Sequence, residues 1–189
     1  LLIGLAMAVS AIFLVVPLVS IFAVAFSRGW EVYLGNIIEP ATLHAIWLTV
    51  LAALVCVPIN TVFGIAVAWA VSRYDFRGRR LLISVIEVPF SVSPIVAGVT
   101  YLFLYGTQGL FGPALQAAGI QIMFTVWAIF LVSLFVTAPF VARELIPLMQ
   151  AQGSEDEEAA ISLGASGWQT FRLVTLPNIR WALLYGAVL

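Results

Sequence analysis

Four stretches of the chain are apolar along almost their whole length: Leu1–Phe26, Ala41–Val71, Leu81–Tyr105 and Gln121–Ala142. A fifth begins near Trp181 and runs to Leu189. A helix needs roughly 20 apolar residues, at about 1.5 Å rise each, to cross about 30 Å of hydrocarbon, and each of the four is long enough. In lipid such segments must be helical, because every backbone N–H and C=O has to find its partner within the segment. The pattern predicts an all-α, polytopic membrane helical bundle with four full spans and a truncated fifth. Pro17, Pro58, Pro89, Pro94 and Pro139 fall inside these stretches and predict kinks or locally broken turns. Leu1–Phe26 is too long for the apolar core of a signal peptide and lacks its small-residue cleavage pattern. The first residue is not Met and the last lies in an apolar run, so the chain is expected to be a fragment of a longer membrane protein.

Composition agrees with the pattern. The chain is 63% hydrophobic and 9% charged, against about 25% charged in soluble domains. All eight basic residues are Arg, and there is no Lys. A net charge of −1 offers no basic face for nucleic acid. One Cys, Cys56, cannot form an intrachain disulfide, and with one His, His44, it cannot build a Cys/His zinc site.

The sparse charge sets orientation. Arg73, Arg77, Arg79 and Arg80 crowd the link after the second span, and Arg143, Arg172 and Arg180 fall in the link after the fourth. The link after the first span has only Arg28, and the Gly-rich link Gly106–Ile120 has no charge. The positive-inside rule therefore places the second and fourth links in the cytoplasm. Trp30, Tyr33, Tyr101 and Tyr105 suit an aromatic belt at the outer boundary.

Arg143–Arg180 is the one long polar segment. Ser154-Glu155-Asp156-Glu157 reads as a capping box, with Ser154 as N-cap, Glu157 three residues on, and acids facing the helix dipole. A short helix through Glu158 and Leu163 should stop at Gly164. A second, from Ser166 or Gly167 through Trp168 and Phe171, should end before Pro177. Ala159, Ala160 and Leu163 share a face of the first, and Trp168, Phe171 and Val174 a face of the second. Such a hairpin either rests on lipid headgroups or docks into a groove of a cytoplasmic partner. Four consecutive acids argue against the lipid reading.

The wording of this segment resembles the EAA loop of bacterial ABC importer permeases of the type-1, MetI-like group. Glu158-Ala159-Ala160, three residues, Gly164, nine residues, Val174, one residue and Leu176-Pro177 follow E-A-A-x3-G-x9-I-x-L-P, and only Val174 departs from it. The resemblance implies that residues 1–40 are an N-terminal helix with an external loop and that 41–189 are the permease core. It also implies a cytoplasmic coupling helix that seats Glu158, Ala159, Ala160 and Gly164, with Leu176 and Pro177 behind them, against an ATPase subunit. A Walker A loop needs a Lys on the nucleotide phosphates, and this chain has none. ATP and Mg are therefore expected on the partner ATPase subunit, with no cofactor, metal or catalytic residue here. Longer runs are similar to the sulfate/thiosulfate branch of the CysW type: Leu43–Val50, Val88–Gly98, Val136–Leu145, Gly164–Gln169 and Asn178–Ala182. That branch implies a sister permease of the CysT type, two ATPase subunits, a periplasmic sulfate-binding protein and an inner-membrane location. Molybdate and tungstate permeases share the loop. A secondary transporter or channel is the rival class, and it would need paired ionisable groups or inverted repeats along the path.

With every Arg expected at a span end or in a link, a crossing anion would meet neutral dipoles. These are Ser91, Ser93 and Thr100 with the backbone freed near Pro89 and Pro94 in the third span, and Thr137 in the fourth. The alternative is that these hydroxyls bond back to their own or a neighbouring helix. Glu87 is the one acid inside an apolar stretch, read as pairing with an Arg of a neighbouring helix or chain rather than gating. His44 reads as an interface histidine and Cys56 as a buried packing residue. Arg73–Arg80 reads as a topology-setting loop, with contact to the ATPase as the second reading.

Overall fold

The computed structural model describes the backbone from Leu2 and side chains from Val9 through Leu189, so Leu1 of the first expected span lies outside the described residues. The described chain is helical, with no strand. It divides into two compact units, 1–50 and 51–189, with the long helix α3 (Pro40–Arg73) running from the first into the second.

The first unit holds α1 (Leu2–Phe26), α2 (Trp30–Ile38) and the start of α3. Gly29, at φ 90, turns the chain between α1 and α2. Phe22, Phe26, Trp30 and Tyr33 stack across that turn with ring centroids 4.9–6.3 Å apart. The link after the first span is thus itself helical.

The second unit is built on α7 (Val126–Gln152). The expected span ended at Ala142; the helix begins later and continues to Gln152. Leu145, Met149 and Ile146 explain the extension, since they continue the apolar face past Arg143 and pack against Ala68, Val71 and Ile179. Pro139 and Pro147 are accommodated within it. Gly64 lets α3 approach α7 so closely that a Cβ there would lie 2.6 Å from the Cβ and Cγ1 of Val141. Many large side chains elsewhere on α3, including Trp47, Val62 and Phe63, are exposed, as expected where lipid rather than water is the solvent.

The third expected span, Leu81–Tyr105, is not one helix. It is α4 (Arg79–Ser91) and α5 (Pro94–Tyr105), bent by 105° at Val92-Ser93. Val92 and Ser93 are extended, at ψ 124 and 139, and at Ser93 the ring of Pro94 excludes the helical conformation from the residue before it. Pro94 then opens α5, where its missing N–H costs no intrahelical bond. The uncharged Gly-rich link contains the short α6 (Gly112–Ala117). Among the described residues, three helices are long and apolar enough to cross a membrane, or four if the bent pair is one span.

After α7 come α8 (Glu155–Ser162), α9 (Gly167–Thr170), a wide helical turn over Phe171–Thr175, and α10 (Leu176–Val188). The second short helix therefore does not end before Pro177. Leu176 N–H reaches back five residues to Phe171 O, and this widened turn admits Pro177 into the first turn of α10 without a break. The helix at the fifth apolar stretch accordingly starts at Leu176, five residues before the expected Trp181.

Candidate functional site

The α8–α9 element is set by two local motifs. At its start the expected capping box is not formed: Ser154 stands at φ −112, ψ 4 and makes no cap hydrogen bond to the backbone. Its hydroxyl instead bonds the Glu158 carboxylate, and Glu157 is engaged elsewhere. The capping box sits one helix later. There Ser166 Oγ accepts from Gln169 N–H at 3.4 Å and Gln169 Oε1 accepts from Ser166 N–H at 2.8 Å. Between the two helices Gly164 is at φ +89, with its N–H on Ile161 O and the N–H of Ala165 on Ala160 O. That pair of bonds is a Schellman stop, and its left-handed position is the reason for glycine there.

Glu158, Ala159 and Gly164 are exposed and Ala160 is half-buried, so they are not packed onto the chain that carries them. Leu163, 89% exposed, and Trp168, 69% exposed, extend the same open surface. Of the apolar faces expected to be buried, only the second is anchored: Phe171 stacks on Trp69 of α3 at 5.2 Å and on Trp168 at 5.6 Å. Leu176 is half-buried and Pro177 exposed at the root of α10.

What holds α8 to the helices is polar. Arg73, the last residue of α3, donates from Nε to Glu157 Oε2 at 2.7 Å and from Nη2 to Glu157 Oε1 at 3.2 Å. Its Nη1 donates to Met149 O of α7 at 3.0 Å, and Thr175 Oγ1 donates to Glu157 Oε1 at 2.7 Å. Asn178 Nδ2 reaches Asp156 Oδ2 at 3.2 Å, and Gln152 Nε2 reaches Asn178 O at 3.3 Å. The sequence reading assigned Arg73 to topology and Glu157 to a cap. Partners 84 residues apart leave no trace in local spacing.

A second constellation lies at the bend. Ser91 closes α4 and Ser93 precedes α5; both are exposed, and neither hydroxyl has a hydrogen-bond partner among the described residues. Pro94 is exposed beside them. Thr100 differs, because its hydroxyl donates to Val96 O at 2.8 Å, one turn back in its own helix. Thr137 likewise donates to Ser133 O at 2.7 Å while accepting from Asn60 Nδ2 at 2.6 Å. Asn60, 6% exposed, was missed from the sequence, although a lone Asn in the apolar run of α3 is a readable signal. With Cys56, Ser133, Thr137 and Phe140 it lines a cavity of about 240 Å³. Cys56 is buried there, as a packing residue should be.

Arg143 was expected just past the end of the fourth span, and the helix continues through it. Because α7 runs on to Gln152, Arg143 sits inside the helix, nine residues or about 13 Å along the axis from its end. Its guanidinium lies 4.8 Å from the centre of the Phe90 ring, next to the bend. Glu87 lines the same pocket between α4 and α7, but makes no ion pair among the described residues. No cluster of metal-binding side chains occurs among the described residues.

Known proteins share this arrangement of sequence. The pattern of the binding-protein-dependent transport system inner membrane component matches residues 60–189, which include the bend, α7 and the α8–α9 element. The sulfate transport system permease protein CysW of Escherichia coli strain K12 is 57% identical over 188 residues, covering 100% of this chain and 65% of that protein. Its namesake in Synechococcus elongatus is 45% identical over 188 residues, covering 100% of this chain and 66% of the relative. The sulfate permease 2, chloroplastic, of Chlamydomonas reinhardtii is 44% identical over 189 residues, 51% of its own length. The chain thus spans about two thirds or less of these relatives. With apolar helices long enough to cross a membrane, and with the family pattern over most of its length, the chain belongs to the binding-protein-dependent transport system inner membrane components.

Proposed function

We propose that the chain is part of the membrane-spanning permease subunit of an ABC importer for sulfate or thiosulfate, driven by ATP hydrolysis on a separate subunit. The observation that carries the reading is the α8–α9 element. It is held at the Arg-rich end of the helices, yet it leaves Glu158, Ala159, Gly164, Leu163 and Trp168 open to a partner. An exposed, partly apolar helix with a defined stop is the form a groove-docking element takes. On this reading Glu158, Ala159, Ala160 and Gly164 meet the ATPase subunit, which holds ATP and Mg, while Leu176 and Pro177 pass the motion into α10. The element then faces the cytoplasm of a bacterial inner-membrane protein. The names of the relatives support sulfate as cargo. A CysT-like sister permease and a periplasmic sulfate-binding protein would complete the machine.

For the path, the bend is the favoured segment. The unpartnered hydroxyls of Ser91 and Ser93 beside Pro94 offer neutral donors to an anion, and Arg143 adds a cation nearby. Thr100 is the weaker member of the set, since its proton is already committed to Val96 O.

The test is ATP-dependent uptake of labelled sulfate into proteoliposomes by the full-length permease with its sister subunit, ATPase and binding protein. Glu158→Lys or Gly164→Trp should abolish uptake and release the ATPase subunit while the helices remain inserted. Uptake that persists without ATP, or that survives both changes, would refute the reading. Competition with molybdate and thiosulfate fixes the anion.

A further inference from the structure

The proposed function calls for α8 to push on the spans, and the backbone on either side of α8 is poorly suited to do it. Gly153, at φ 68, joins it to α7, and Gly164, at φ 89, joins it to α9. Neither joint carries a side chain that could brace α8, which leaves backbone torsions and, at Gly164, the two bonds of the stop. Apolar packing does not replace the missing stiffness, because the single buried residue of α8 is Glu157.

We infer that the Arg73–Glu157–Thr175 cluster is the strut that carries motion of α8 into the spans, bypassing both glycines. Rigidity follows from the geometry. Both carboxylate oxygens are used, by the paired nitrogens of one guanidinium and by a hydroxyl, so the carboxylate cannot rotate without losing a bond. The remaining terminal nitrogen of Arg73 is tied to Met149 O. One cluster therefore links the last turn of α3, the last turn of α7, the first turn of α8 and the widened turn that opens into α10. The side chains of Arg73 and Glu157 are 11% and 12% exposed, so water screens the pair little. Arg73, Glu157 and Thr175 are positioning residues: Glu157 is buried under α8, whereas Glu158, Ala159 and Gly164 are exposed. The inference rests on the importer reading above.

The experiment uses the complete importer in proteoliposomes, measuring sulfate uptake, ATP hydrolysis and co-purification of the ATPase subunit in parallel. Glu157→Gln and Arg73→Ala should keep the ATPase subunit bound and hydrolysis within about twofold of the parent. Sulfate moved per ATP should fall by about tenfold or more, within the range of ordinary coupling free energies. Arg73→Lys, which keeps the charge but not the fork, should recover part of the loss, and the double variant should be no worse than either single one. A merely structural role predicts uptake and hydrolysis falling in step, and that result, or an unchanged ratio, overturns the strut. Glu158→Lys on the docking face separates the two readings. If it leaves both co-purification and uptake intact, the importer reading itself has failed, whatever Glu157→Gln does. Should the strut variants not accumulate, hydrogen exchange on the parent complex decides. Amides of α8 should be protected together with those of the last turns of α3 and α7, and independent fast exchange of α8 refutes the proposal.

Discussion

Gly64→Ala adds one methyl group at the tightest crossing of α3 and α7. The new carbon would sit 2.6 Å from Val141 Cβ, 2.6 Å from Val141 Cγ1 and 3.0 Å from Ala142 N. Carbon atoms rest at about 3.5–4.0 Å, so the helices must part locally by about 1 Å. Val141 cannot turn away, because its own Cβ is one of the clashing atoms. α10 also approaches closely: a Cβ on Gly186 would lie 3.0 Å from Val141 Cα. Overpacking of this kind costs about 1–3 kcal/mol. Helix propensity opposes it, since replacing an interior Gly by Ala gains about 0.8–1.0 kcal/mol. The net expectation is a loss of up to about 2 kcal/mol, read as the shift in unfolding midpoint in detergent micelles. Gly98→Ala in α5 is the internal reference, because nothing lies within 4 Å of its added carbon and propensity alone should act. A Gly64→Ala/Val141→Gly pair should be more stable than the sum of its single changes. Equal or greater stability of Gly64→Ala than of Gly98→Ala would refute the packing argument.

Two further outcomes follow from hydrogen bonds at membrane depth. Asn60→Leu removes the donor to Thr137 Oγ1 that ties α3 to α7, and should lower stability by about 1 kcal/mol in the same unfolding assay, the usual scale for such bonds in lipid. At the bend, Ser91→Ala/Ser93→Ala should reduce sulfate uptake at equal surface expression, whereas Thr100→Val should leave it unchanged because that hydroxyl is already spent on Val96 O. Equal effects of the two changes would remove the bend from the path.

Much of this architecture was legible before any coordinates. Long apolar runs locate α1, α3 and most of α7, because lipid tolerates no other use of twenty such residues. Gly164 announced its own stop, since a left-handed residue after a helix is a local requirement with one cheap solution. The EAA wording pointed to the short exposed helix α8 by resemblance. The misses share a different cause. The fourth expected span ended at Ala142, ten residues before the helix does, because hydropathy counts charge without knowing whether a helix continues; packing of Leu145 and Met149 decided that it does. Pro94 signalled disruption, but a kink and a 105° bend are the same letter in sequence. Ser154 and Glu157 matched a capping box, and the match lost to a stronger partner, Arg73, that approaches only when α3 and α8 are brought together.

Sequence by itself determined the solvent, the helices and the stop between α8 and α9, because those depend on side chains within a turn or two of one another. Tertiary structure alone decided which charges meet. A carboxylate on α8 and a guanidinium on α3 gain their energy from mutual distance and exclusion of water, and neither quantity exists until the helices have packed.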